Sequence, residues 1–117
     1  MDSELLRQCE TRLREMREAL ASLDNIRKAG SAVVELDQTR TGRLSRIDAL
    51  QLQAMANAGR DRAAQEQRRI DAALARIRSG TYGKCTDCGE PIASGRVQAQ
   101  PAAALCMPCA ADRERQP

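Results

Sequence analysis

Cys85-Thr86-Asp87-Cys88 and Cys106-Met107-Pro108-Cys109, separated by 17 residues, decide how the C-terminal third of this chain must fold. Two residues between cysteines let both sulfurs of a tight turn face one point, with backbone N–H groups free to hydrogen-bond the thiolates. Two such turns supply a tetrahedron with metal–sulfur distances near 2.3 Å, the geometry of a four-cysteine zinc site. The chain has no His, so a Cys3His site is excluded. Four protein ligands leave no open position for water or substrate, so the expected Zn2+ is one structural ion held by Cys85, Cys88, Cys106 and Cys109.

Two other uses of paired cysteines fit less well. The N-terminus, MDSELLRQCETRLREM, carries acids and lacks an apolar leader core, so we expect a reducing cytoplasmic setting in which disulfides are disfavoured. A redox CxxC needs a strand–helix context, and no βαβ pattern occurs here. Residues 80–117 contain few large apolar side chains, so metal binding should supply most of that module's folding energy. Cys9 lies far from both pairs, where a small hydrophobe suffices.

The remaining sequence reads as helix. The chain has 117 residues, no Phe, no Trp and one Tyr, with 30% charged residues, a composition suited to long helices with a narrow seam. Leu6, Cys9, Leu13, Met16, Leu20 and Leu23 repeat at alternating spacings of 3 and 4 over a helix expected at 3–28. Ala29-Gly30-Ser31 is its expected stop, and residues 30–44, with Val33-Val34 and Thr39-Arg40-Thr41-Gly42, read as irregular. Ser45-Arg46-Ile47-Asp48 resembles a capping box that opens a second helix. Ala63, Gln67, Ile70, Leu74 and Ile77 repeat along that helix, and Ser79-Gly80 ends it. Two heptad helices joined by a loop of about 15 residues should fold back on each other as arms of roughly 40–50 Å. The expected fold is therefore mainly α: an antiparallel two-helix coiled-coil hairpin over 1–79 with a tip loop at about 30–48, then a small four-cysteine zinc finger and short C-terminal helix over 80–117.

Tyr82-Gly83-Lys84-Cys85-Thr86-Asp87-Cys88-Gly89-Glu90-Pro91-Ile92, then Arg96-Val97-Gln98-Ala99-Gln100-Pro101, then Ala104-Leu105-Cys106-Met107-Pro108-Cys109, closely resembles the zinc finger of the DksA/TraR family. That resemblance implies a bacterial regulator of transcription initiation that binds RNA polymerase directly, through the secondary channel, with the coiled-coil tip approaching the catalytic region. It also implies a role for the stringent-response nucleotide ppGpp as a partner. The family's DxxDxA tip string does not occur here. The candidate tip residues are Asp37, Asp48 and Ala49, with Arg40, Arg43 and Arg46 between them. In plainer structural terms Asp48 caps a helix, and the arginines form a solvated loop face. Arg96 is expected to pair with Glu90 inside the finger.

Two other functions compete with this one. A DNA-binding zinc finger would need clustered positive charge. The chain carries +3 overall, but Lys84, Arg96, Arg113 and Arg115 are balanced by Asp87, Glu90, Asp112 and Glu114 in the finger, so no sequence-specific DNA contact is expected. A coiled-coil adaptor clamped by zinc remains compatible with the heptads. An enzyme is not expected, for want of a His, an open metal position or a nucleophile–base pair. No apolar run is long enough to span a bilayer, and a monomer is expected.

Overall fold

Leu13 and Ile70 are completely buried, and the packing around them shows how the helices pair. A computed structural model describes the backbone of residues 1–41 and 46–116, and the side chains of 1–28 and 46–116. Four helices follow in order: α1 (Ser3–Thr41), α2 (Arg46–Ser79), α3 (Ser94–Ala99) and α4 (Met107–Arg115). Among the described residues there is no strand, only an isolated antiparallel bridge between Lys84 and Pro91. None of the described helices is long and apolar enough to cross a membrane.

The chain divides into two compact units, one of Met1–Arg17 with Gln67–Pro117 and one of Glu18–Glu66. In the first, Cys9 and Leu13 of α1 are buried, as are Ile70, Ala73 and Leu74 of α2. Cys9, Leu13, Ile70 and Leu74 are positions that the 3-4 spacing places on one helix face, and Ala73 joins them. Arg17 meets Asp71 at 3.8 Å, whereas Cys9, two turns earlier in α1, lies beside Tyr82 beyond the end of α2. The two segments therefore run antiparallel. Truncating a side chain as enclosed as Leu13 typically costs about 2–5 kcal/mol.

The end of α2 shows a local stop signal in full. Thr81 donates its N–H to the Arg76 carbonyl at 2.9 Å, and Gly80 donates to Ile77 at 3.3 Å, with Gly80 at φ +79°. This is the Schellman arrangement, which favours glycine because a Cβ resists the left-handed conformation.

In the second unit, Arg27 of α1 reaches the Gly59 carbonyl of α2 at 3.4 Å. The helix ends Thr41 and Arg46 are separated by residues 42–45 alone, so these segments too run in opposite directions. The apolar seam thins here: Leu23 is 46% exposed, and Ile26, Ile47, Leu50, Leu52 and Met55 are exposed as well.

The expected end of the first helix needs correction. α1 does not stop at Ala29-Gly30-Ser31 but runs on to Thr41, and α2 already begins at Arg46, so most of the expected 30–48 loop is helical. Gly30 and the four β-branched residues Val33, Val34, Thr39 and Thr41 each cost at most about 1 kcal/mol in a helix. Ala29, Ala32, Glu35, Leu36, Gln38 and Arg40 around them are good helix formers, and no Pro intervenes. Ser45, the expected cap, lies outside the described residues.

Candidate metal centre

The first cysteine pair sits on a short reverse turn built by backbone hydrogen bonds. Gly89 donates to the Cys85 carbonyl at 2.9 Å, Cys85 to Glu90 at 2.8 Å and Ile92 to Gly83 at 2.8 Å. Gly89 takes φ +76°, which lets the chain turn back directly after Cys88. The second pair belongs to α4. Cys106 is its N-cap residue, Pro108 lies within its first two positions where a missing N–H costs nothing, and Cys109 faces inward from its first turn. Thr86 donates to the Ala104 carbonyl at 2.9 Å, joining the two halves.

These turns bring the four expected ligands together. The Sγ atoms of Cys85, Cys88, Cys106 and Cys109 all lie within 4.8 Å of one another. Those of Cys88 and Cys106 are 3.7 Å apart, against about 3.8 Å for the edge of a tetrahedron with Zn–S near 2.3 Å. Cys85 is buried, while Cys88 is exposed. Backbone N–H groups of Cys106, Cys88 and Asp87 point at the Cys85 sulfur and lower its pKa from 9.0 to about 6. Cys109 is pushed up instead, chiefly by the Cys106 sulfur, then by those of Cys85 and Cys88. Cys88 also ends above its ordinary value: the Glu90 N–H draws it down, but the Cys85 sulfur, burial and the Cys106 sulfur outweigh it. Four thiols crowded in this way are a site for one metal ion, since a cation removes their mutual conflict.

A second layer of contacts holds the turns in place. Tyr82, the chain's one aromatic residue, is buried and donates its hydroxyl to the Pro101 carbonyl at 2.7 Å. Arg12 of α1 donates to the Gln98 carbonyl, tying the helical base to α3. Arg96 does not pair with Glu90, as the sequence suggested. Its Nε donates to the Leu105 carbonyl at 2.9 Å, next to Cys106. Arg113 of α4 grips Asp87 with two hydrogen bonds, of 2.9 and 2.6 Å. No local spacing announces that pair, although Arg113 lies one helical turn beyond Cys109.

The expected tip residues are placed less fully. Arg46, Asp48 and Ala49 occupy the first turn of α2, where the acid suits the helix dipole. Arg46 and Asp48 are exposed and Ala49 is half-buried. Arg43 and the side chains of Asp37 and Arg40 lie outside the described residues.

Residues 80–115 match the family described as the prokaryotic dksA/traR C4-type zinc finger. Over 103 residues the chain is 32% identical to the RNA polymerase-binding transcription factor DksA of Caulobacter vibrioides, covering 88% of this chain and 66% of that one. Its finger resembles the dksA/traR type, and the chain is similar to DksA. The chain spans slightly less than two thirds of that relative's length. Its fold agrees with that of transcription factor DksA2 from Pseudomonas aeruginosa, with a TM-score of 0.79 at 24% identity over 99% of this chain and 88% of that one. The Chlamydia trachomatis regulator Dks, an RNA polymerase binding protein, shares the fold with a TM-score of 0.61 at 22% identity, over 98% and 93% of the two chains. The finger and its paired helical base are therefore a fold shared with these structures, with Cys85, Cys88, Cys106 and Cys109 positioned to hold one metal ion.

Proposed function

We propose that this chain regulates transcription initiation by binding RNA polymerase directly. In this view the helical hairpin of residues 1–79 enters the secondary channel while the finger of residues 80–117 docks at its rim. The observation that carries this is the four-cysteine cluster of a dksA/traR-type finger, set against the paired α1–α2 base in one compact unit. Likeness to DksA of Caulobacter vibrioides, which is RNA polymerase-binding, supports the same conclusion. The tip set would be Asp37, Arg43, Arg46, Asp48 and Ala49, and ppGpp the small-molecule co-regulator. The protein would act in the cytoplasm, as a monomer, without chemistry of its own.

A DNA-binding finger is the weaker alternative. The finger's acids match its bases in number, and Arg113 is engaged by Asp87 and so less available to neutralise phosphate. A zinc-clamped adaptor draws support from the exposed Leu23, Ile26, Ile47, Leu50, Leu52 and Met55 of the second unit. Sedimentation of the chain with and without core polymerase separates these possibilities. In vitro transcription from a ribosomal RNA promoter, with and without ppGpp, tests the regulatory role. Self-association with no polymerase complex would favour the adaptor, and an unchanged transcript level would refute regulation.

A further inference from the structure

The metal joins two pieces of chain, the Cys85–Cys88 turn and the start of α4. The Arg113–Asp87 pair joins the same two pieces a second time. Asp87 lies between the first two ligands, and Arg113 lies one turn beyond the last. The guanidinium spans both carboxylate oxygens, Nε to Oδ2 at 2.9 Å and Nη2 to Oδ1 at 2.6 Å. That forked geometry orients as well as attracts. It is also the one ion pair among the described finger residues that crosses from one half of the site to the other; Arg115–Asp112 stays within α4.

We propose that Arg113 and Asp87 are positioning residues for the metal centre, a latch that slows the loss of zinc. Zinc leaves a four-thiolate site by breaking one sulfur bond at a time. After the first break, the freed cysteine either rebinds or drifts away. A second tether between the same segments holds it at high effective concentration and favours rebinding. The pair is partly exposed, with 63% and 31% of its side chains accessible, so its effect must weaken with salt. The inference is independent of polymerase binding and concerns this chain's own side chains.

The test is the rate of zinc release from the full-length protein to excess chromogenic chelator. Arg113→Gln should release zinc about twofold to fivefold faster in low salt, the range open to an exposed, well-oriented pair. That difference should vanish near 1 M salt, where the screening length is about 3 Å. Asp87→Asn discriminates between a latch and simple charge balance. Four thiolates around Zn2+ carry net negative charge, so removing a nearby acid should slow release if electrostatic neutralisation were all that mattered. The latch requires Asp87→Asn to speed release as Arg113→Gln does, and the double variant to be no faster than either single one. Tetrahedral absorption of the cobalt-substituted variants confirms that the site itself is intact. If Arg113→Gln fails to assemble the site, Arg113→Lys decides: it keeps the charge but loses the fork, and should fall between wild type and Asp87→Asn. Wild-type release by Arg113→Gln, slower release by Asp87→Asn, a salt-independent effect, or Arg113→Lys no different from wild type would each overturn the proposal.

Discussion

The Tyr82 hydroxyl donates to the carbonyl of Pro101 across the finger at 2.7 Å, with Tyr82 only 7% exposed. A side chain from the first residues after α2 thereby anchors the segment that leads from α3 to the second cysteine pair. Tyr82→Phe keeps the ring but leaves that carbonyl without its partner. It should lower stability by about 1–2 kcal/mol in zinc-saturated denaturant titrations. Burial, then the Cys9 thiol, hold the phenol above its ordinary pKa of 10. The folded state keeps this proton after the unfolded chain has lost it, so the stabilisation is complete below pH 10 and declines as pH rises beyond. Phe should remove that alkaline decline; an identical pH profile in both proteins would refute the assignment.

Loss of one ligand should undo the finger. Cys85→Ser exchanges the buried, most acidic thiol for a hydroxyl that does not ionise, and structural zinc contributes on the order of 10 kcal/mol in small modules. Zinc should be absent after gel filtration, and the cooperative melt of the Met1–Arg17/Gln67–Pro117 unit should disappear. Chelation of the wild-type protein should do the same. A wild-type melting profile for Cys85→Ser would contradict this.

Zinc uptake should release protons. The Cys85 thiol, at about 6, is already ionised at neutral pH, whereas Cys88 and Cys109 are held protonated above their ordinary values. Titration calorimetry at pH 7 in buffers of different ionisation enthalpy should therefore show net release of more than one proton per zinc. Because Cys85 regains its proton as pH falls through about 6, affinity should drop more steeply below that pH than above it. Buffer-independent heats would argue against the ionisation pattern.

Gly59 lies inside α2 with open space where a Cβ would go. Gly59→Ala should raise stability by about 0.5–1 kcal/mol through unfolded-state entropy and helix propensity. Thermal melts followed by helical circular dichroism read this directly. A lowered midpoint would mean that the Arg27 contact with the Gly59 carbonyl depends on the missing side chain.

The two faces of the proposed function should come apart by substitution. Asp48→Asn, in the first turn of α2, and Arg43→Ala are expected to change transcription while leaving polymerase affinity nearly intact. Parallel binding and transcription assays would show it. Equal loss of both would move the acting residues from the tip to the docking surface.

Several of these features could be read from local patterns. The Schellman stop at Gly80 needs only a left-handed residue after a helix, and Cys9 and Leu13 follow from 3-4 spacing. The seam was legible less well in α2: Gln67 is exposed and Ala73 is buried beside Leu74, since small residues pack as readily as large ones where helices approach closely. The run of α1 through Gly30 to Thr41 escaped because single helix-breaking residues stand out in a sequence, while the summed preference of their neighbours does not.

From the sequence alone came the metal site, the helical composition and the finger's likeness to a known family, because each shows in residue types at fixed spacings, and four paired thiols in a chain without His have one obvious use. The tertiary structure alone settled which distant groups meet. Arg113 took Asp87, 26 positions away, Arg96 took a backbone carbonyl in place of Glu90, and Tyr82 reached Pro101. A guanidinium or hydroxyl can satisfy many acceptors equally well. Only the folded path of the chain determines which one lies within 3 Å.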